Sequence, residues 1–191
     1  MKEYYERRGP EYDETSYGVS DAEEGSELAR LRDAIAALSP ARVLDVGCGS
    51  AFLSRYLRGE IVGLDQSAEM LRIARERLPS AAFVRGDAIP LPFPDRSFDR
   101  IFTSHFYGHL DQAARRRLLQ EARRVAPELV IVDSAWAPGL LPEGPEERRL
   151  RDGSRWVIHK CYFTPEVLRG ELDGGEVLFQ GSTFLSVRKR W

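Results

Sequence analysis

Carboxylates and glycines recur where apolar runs of this chain end. Asp45-Val46-Gly47-Cys48-Gly49 follows Val43-Leu44, Asp65 closes Ile61-Val62-Gly63-Leu64, and Asp87 follows Ala82-Phe83-Val84-Arg85. Glycines just past a buried strand let a ligand approach the backbone, and a carboxylate about twenty residues on can accept both hydroxyls of a ribose. Two ligand classes fit, a nicotinamide dinucleotide and S-adenosylmethionine. The dinucleotide fingerprint needs a third small residue for close helix–strand packing, and Phe52 stands there. Asp45 would also face a polyanion, whereas beside a sulfonium and an ammonium its charge makes electrostatic sense. After the fourth apolar run comes Ser104-His105-Phe106-Tyr107-Gly108-His109. A histidine there has the acid–base range to take a proton from an acceptor hydroxyl, His109 ahead of His105.

These residues need an alternating α/β frame. Short strands are expected at Arg42–Val46, Ile61–Asp65, Ala82–Arg85, Phe98–Thr103 and Leu129–Asp133, the last continuously apolar, as parallel strands covered on both faces are. Helical spacing joins Leu28, Leu31, Ile35 and Leu38 behind a capping box at Ser20 and Glu23, and ends at Ser39-Pro40. A further helix is expected to carry Phe52, Leu53, Tyr56 and Leu57. Ser67 caps one bearing Met70, Leu71, Ala74 and Leu78, and residues 111–126 form an amphipathic helix with Leu118, Leu119, Ala122 and Val125 inward. On that last helix Arg115-Arg116-Arg117 and Arg123-Arg124 read as a solvated face. Thr164-Pro165 opens a closing helix. Glu176–Gln180 and Phe184–Arg190 read as an antiparallel hairpin. The fold class is therefore α/β, a doubly wound Rossmann-like sheet, mostly parallel with a C-terminal antiparallel hairpin.

Three segments together resemble the class I S-adenosylmethionine-dependent methyltransferases. Val43-Leu44-Asp45-Val46-Gly47-Cys48-Gly49-Ser50 resembles their first motif and Gly63-Leu64-Asp65-Gln66-Ser67-Ala68-Glu69-Met70-Leu71 their second. Gly86-Asp87-Ala88-Ile89-Pro90-Leu91-Pro92-Phe93-Pro94-Asp95-Arg96-Ser97-Phe98-Asp99 is similar to the third, in the form found in the small-molecule, ubiquinone/menaquinone-type branch. The match covers residues 40–135, and the tyrosine-rich start, Tyr4 to Asp13, also resembles that branch. The resemblance implies a seven-stranded sheet and S-adenosylmethionine as methyl donor. It implies that Asp45, Gly47, Cys48 and Gly49 line the methionine and ribose side and that Asp65 holds the ribose hydroxyls. Gln66 and Met70 would pack near the adenine, Asp87 would accept from its amino group, and the backbone of Ala88 or Ile89 would meet a ring nitrogen. Ser104 and His105 would face the methionine part, with Tyr5, Tyr12 or Tyr17 as a lid. The implied reaction is in-line methyl transfer to an O, N or C nucleophile of a small molecule, leaving S-adenosylhomocysteine.

One domain is expected over 1–191: a lid arm at 1–19, a cofactor-binding core at 20–135, an acceptor-site cover at 136–163, and a closing helix and hairpin at 164–191. Residues 135–160, rich in proline, glycine and charge, read as a loop with a short helix. His159, Lys160 and Tyr162 are candidate acceptor contacts there, and Trp136 and Trp156 either line an apolar pocket or fill the cover's core. Cys48 reads as a small residue in a tight turn, since nothing near it argues for a thiolate. No metal is expected: cation-dependent catechol-type enzymes carry an acidic ligand where Ser104 stands. The Asn/Asp-Pro-Pro-aromatic motif of amino-directed DNA methyltransferases is replaced by Ser-His-Phe-Tyr, and the net charge of −2 speaks against nucleic acid. The start of the chain lacks an apolar stretch behind its charges and the 2 cysteines make no disulfide framework, so a cytoplasmic protein without membrane insertion is expected. Alternatives are a binding module that senses the cofactor without turnover and a nicotinamide-dependent oxidoreductase.

Overall fold

A computed structural model describes residues 2–17 and 26–191. The chain begins with α1 (Lys2–Arg8), a 3-10 turn and α2 (Tyr12–Tyr17), then runs α3 (Glu27–Ala36), β1 (Ala41–Val46), β2 (Gly59–Asp65), α4 (Ala68–Arg77), β3 (Ala82–Arg85) and β4 (Arg100–Ser104). It continues through α5 (Gln112–Val125), β5 (Glu128–Ser134), β6 (Glu143–Arg149), β7 (Arg155–Cys161), α6 (Pro165–Glu171), β8 (Glu176–Gln180) and β9 (Phe184–Arg190). Seven strands form one sheet in the order β3-β2-β1-β4-β5-β9-β8. β3, β2, β1, β4 and β5 are parallel, while β9 runs antiparallel to β5 and β8 to β9. The order reverses between β1 and β4, and ligands of such sheets bind beyond the strand C-termini at that point.

The strands alternate side chains between two apolar layers, as their two-residue period demands. Leu44, Ile101, Leu129 and Ile131 pack with Leu118 and Val125 of α5 and Leu168 of α6. Val43, Phe102, Val130 and Val132 pack with Leu31 and Ile35 of α3 and with Phe52 and Leu53. Helix starts are capped by short polar side chains: Ser67 Oγ accepts from Met70 N, Asp111 from Ala114 N and Thr164 from Val167 N. Ser26 caps α3, and the capping box at Ser20 and Glu23 lies outside the described residues.

Three expectations need correction. The helix expected to carry Phe52 to Leu57 is a single 3-10 turn, Ser54–Tyr56. Phe52, Leu53 and Leu57 still enter the core. The expected loop at 135–160 contains an antiparallel hairpin, β6–β7, pairing Glu143 with Cys161 through Arg149 with Arg155. Its first strand, Glu-Gly-Pro-Glu-Glu-Arg-Arg, has no apolar residue to betray it. Finally, Arg115 does not belong to a solvated face; only 3% of its side chain is exposed, and it pairs with Glu143 and Glu171. Arg124 is also half-buried, donating to the Leu91 and Phe93 carbonyls and so holding the proline-rich loop.

The arm is pinned from two sides. Glu6 accepts from the Ala68 and Glu69 amides at the start of α4, and Asp13 pairs with Arg77. Tyr4 is buried with Leu150 and Ile158 of the hairpin, and Glu11 accepts from the Arg151 amide at 3.1 Å. The arm thus spans the gap between the sheet and the hairpin.

Candidate functional site

The turn after β1 folds back over β2. Gly47 N and Cys48 N both donate to the Leu64 carbonyl, at 2.8 and 3.1 Å, and Gly47 and Gly49 have φ of +67° and +51°. A Cβ on Gly47 would lie 2.6 Å from the Phe106 ring, whereas one on Gly49 would meet nothing within 4 Å. The first glycine is therefore needed for packing and the second faces open space. Asp65 locks the turn and the start of α4 together: Oδ2 accepts from Gly49 N at 2.9 Å and Oδ1 from Ser67 N at 2.8 Å. Burial pushes its carboxyl up, against the pull of these amides.

Over this turn lies a cavity of about 270 Å3. It brings together Tyr5, Tyr12, Gly47, Gly49, Asp65, Gln66, Met70, Asp87, Ala88, Ile89, Ser104, His105 and His109 from distant parts of the sequence. Leu64, Gly86, Phe106 and Leu110 also line it without having been singled out; only their adjacency to the motif residues could have signalled them. Two expected residues stand behind the wall. Cys48 is buried, its sulfur close to Gly63, and burial pushes its thiol up, which suits a filler and not a nucleophile. Asp45 is fully buried; one oxygen accepts from the Ser54 hydroxyl, while Oδ1 has no hydrogen-bond partner among the described residues. Burial pushes this carboxyl up to about 7. The side chain of Tyr17 lies outside the described residues. His159 sits outside the cavity, with Nε2 3.0 Å from Glu143. Trp136 donates to the Leu140 carbonyl and Trp156 packs on Tyr4, so neither lines the cavity.

His109 reaches its place because the hairpin holds it. Nδ1 lies 2.8 Å from the His159 carbonyl, which can only accept, so Nδ1 carries the proton and Nε2 keeps a lone pair. Burial and the Lys160 charge pull its pKa down to about 3, and burial pulls His105 down to about 4. His105 sits at a left-handed φ of 52°, where the chain leaves β4.

A pH dependence of stability follows. An unfolded histidine titrates near 6.5, so the native state loses stability as pH falls below that value, by up to about 1.4 kcal/mol per pH unit for each such residue. Asp45 acts in the opposite sense: its folded pKa of about 7 gives stability that is lost as pH rises toward that value. Comparing variants cancels the Asp45 contribution. His109→Gln is expected to lose stability less steeply than the parent between pH 6.5 and 4.5, read from urea midpoints. Equal slopes would show that His109 is not held neutral.

The site residues fit S-adenosylmethionine: paired carboxylates at adjacent strand ends, glycine-lined open space, and behind it a buried carboxylate oxygen with no hydrogen-bond partner among the described residues. Residues 43–128 match the profile of a methyltransferase domain. The structure superposes on DhpI in its SAH complex with a TM-score of 0.77 at 26% identity, covering 97% of this chain and 92% of that one. Residues 43–128 thus share the profile of a methyltransferase domain, on a fold shared with a methyltransferase-type structure bound to SAH. The chain's sequence is 37% identical to a demethylmenaquinone methyltransferase of Thermotoga maritima, over 63% of this chain and 54% of the relative. It is 33% identical to a fatty-acid O-methyltransferase of Mycolicibacterium smegmatis, over 68% and 49% respectively. The chain thus spans about half the length of these curated relatives. In this chain the first turn is followed by a 3-10 turn and not by a long helix, so no helix N-terminus stands behind it to receive a pyrophosphate. No helix among the described residues is long and apolar enough to cross a membrane.

Proposed function

We propose that this protein binds S-adenosylmethionine in the cavity over the Gly47–Gly49 turn and methylates a small molecule. The observation that carries the reading is the meeting of Asp65, Asp87 and the two glycines in one cavity. When bound, S-adenosylmethionine supplies a methyl group already activated on a sulfonium. Asp65 has a free lone-pair direction on each oxygen for the ribose hydroxyls, beyond its bonds to the backbone. Asp87 accepts from the adenine amino group, and Met70 and Gln66 flank the ring. Asp45 supplies negative charge behind the turn, where a cationic ligand would favour its ionised form. Tyr5 and Tyr12, with ring centroids 6.0 Å apart, cover the cavity from the arm and exclude water.

His105 and His109 carry lone pairs at neutral pH but are weak bases. They therefore suit an acceptor that presents a nucleophilic lone pair without first losing a tightly held proton. A second, polar cavity adjoins the first and shares Tyr12, His105 and His109 with it, which favours turnover over a role in sensing alone. The deciding experiment is calorimetric titration of S-adenosylhomocysteine into the folded protein. Micromolar, one-to-one binding is expected, and absence of binding would overturn the reading.

A further inference from the structure

The cavity over the Gly47–Gly49 turn is lined by two carboxylates, Asp65 and Asp87, and by no lysine or arginine among the described residues. A third carboxylate, Asp45, stands behind its wall in β1, two residues before Gly47. Asp45 is fully buried; Oδ2 accepts from the Ser54 hydroxyl, and Oδ1 has no hydrogen-bond partner among the described residues. A buried carboxylate is ordinarily paired with a cation or fully hydrogen-bonded, because an ionised group in an apolar interior is costly. Asp45 has neither arrangement. Gly63 and Phe102, its partners on β2 and β4, bring no charge. Among the described residues, the charge that acts on it is the Asp65 carboxylate at the end of β2, which has the same sign. Cys48, in the turn itself, is held as a neutral thiol by burial.

Each protonation state of Asp45 therefore lacks something while the cavity is empty. A proton on Oδ1 has no acceptor, and the anion has no cation. The two states are close to balance at neutral pH, since burial pushes the carboxyl up to about 7. A cation seated over the turn supplies what the anion lacks and favours it. S-adenosylmethionine carries one positive charge more than S-adenosylhomocysteine, on sulfur, and shares its ribose, adenine and amino-acid ends.

We infer that the buried Asp45–Ser54 pair is a proton-linked charge gauge that makes the site prefer the cationic donor over the product with its uncharged sulfur. Asp45 gives up its proton to solvent when the donor is seated, and takes one back from solvent once the methyl has left. In methyl transfer the sulfur–methyl bond breaks, its electron pair stays on sulfur, and the acceptor's lone pair forms the new bond. The charge that kept Asp45 ionised is then gone, and the product is held less firmly than the donor. Asp45 does not line the cavity, so it acts through charge and not through contact. The inference rests on the proposed methyl-donor site.

The test is calorimetric titration of S-adenosylmethionine and of S-adenosylhomocysteine into the full-length protein, without an acceptor, between pH 6 and pH 8. The readout is the ratio of the two affinities. His105 and His109 stay neutral over this range, and any change at Asp65 acts on the ribose that both ligands share. The preference for S-adenosylmethionine is expected to rise about fivefold from pH 6 to pH 8, as the proton that must leave becomes easier to lose. At pH 7 the carboxyl is half protonated, so S-adenosylmethionine should release about half a proton more than S-adenosylhomocysteine, counted in buffers of different ionisation enthalpy. Asp45→Asn keeps an oxygen for Ser54 but cannot titrate, and should flatten the ratio. Ser54→Ala removes the bond that favours the anion, and should move the rise to higher pH. A ratio independent of pH in the parent, an undiminished rise in Asp45→Asn, or a rise unmoved in Ser54→Ala would each overturn the inference. Should Asp45→Asn not fold, the parent and Ser54→Ala decide. Failure of both ligands to bind the folded parent would instead overturn the methyl-donor reading.

Discussion

Asp65→Asn is expected to bind S-adenosylhomocysteine on the order of a hundredfold more weakly than the parent, an effect of about 3 kcal/mol from two hydrogen bonds to a charged group. The carboxylate can make four bonds and the fold uses two, to Gly49 N and Ser67 N. An amide keeps the shape but turns one oxygen into a donor, which faces either a backbone N–H or a ribose hydroxyl whose partner is gone. Part of any loss could therefore come from a loosened turn. A ligand cycle separates the two causes. The parent should discriminate strongly between S-adenosylhomocysteine and its 2′,3′-dideoxy analogue, and Asp65→Asn should discriminate little. If the variant still prefers the hydroxylated ligand as strongly as the parent does, Asp65 is only a brace for the turn. Because burial already raises the Asp65 carboxyl, the parent's affinity is also expected to fall on acidification, as the anion that accepts the hydroxyls is neutralised.

The half of the site built on the sheet was legible in the sequence because its signals are local. Asp65 and Asp87 stand at the ends of apolar runs, Gly47 and Gly49 sit where a strand must turn, and Ser67 caps the following helix. These cues need no knowledge of tertiary contacts. The other half carried no local signal. β6 is polar on both faces: Glu143, Pro145, Glu147 and Arg149 alternate with the half-buried Gly144, Glu146 and Arg148. It is a strand because β7 pairs with it and the arm covers the pair through Tyr4, a contact spanning most of the chain. The same distance hid the polar cavity, since Arg8 and Arg148 become neighbours only after both segments dock. The helix expected at Phe52 failed for a related reason. Its apolar spacing reflects burial of Phe52 and Leu53, not helical periodicity.

Arg115 shows how such a segment is held, and its replacement should have the largest effect on stability. Its guanidinium donates to the Leu110 carbonyl at 2.8 Å, to both oxygens of Glu143 at 3.1 and 3.2 Å, and to Glu171 at 3.1 Å. Tyr107 donates to the same Glu171 oxygen at 2.7 Å. One side chain from α5 thus ties the first residue of β6 to the last residue of α6. Arg115→Met preserves most of the volume but leaves the two carboxylates facing each other and an acceptor carbonyl without its donor. Breaking a buried pair by removing one partner costs about 3–5 kcal/mol. Both glutamates keep some access to water, at 38% and 24% exposure, which places the expected cost at about 3 kcal/mol. For a chain of this size that is a fall in Tm of about 6–12 °C. Arg115→Lys keeps the charge but cannot bridge Glu143 and Glu171 with a planar fork, so it should recover only part of the loss. A Tm within 2 °C of the parent for Arg115→Met would show that the clamp is dispensable.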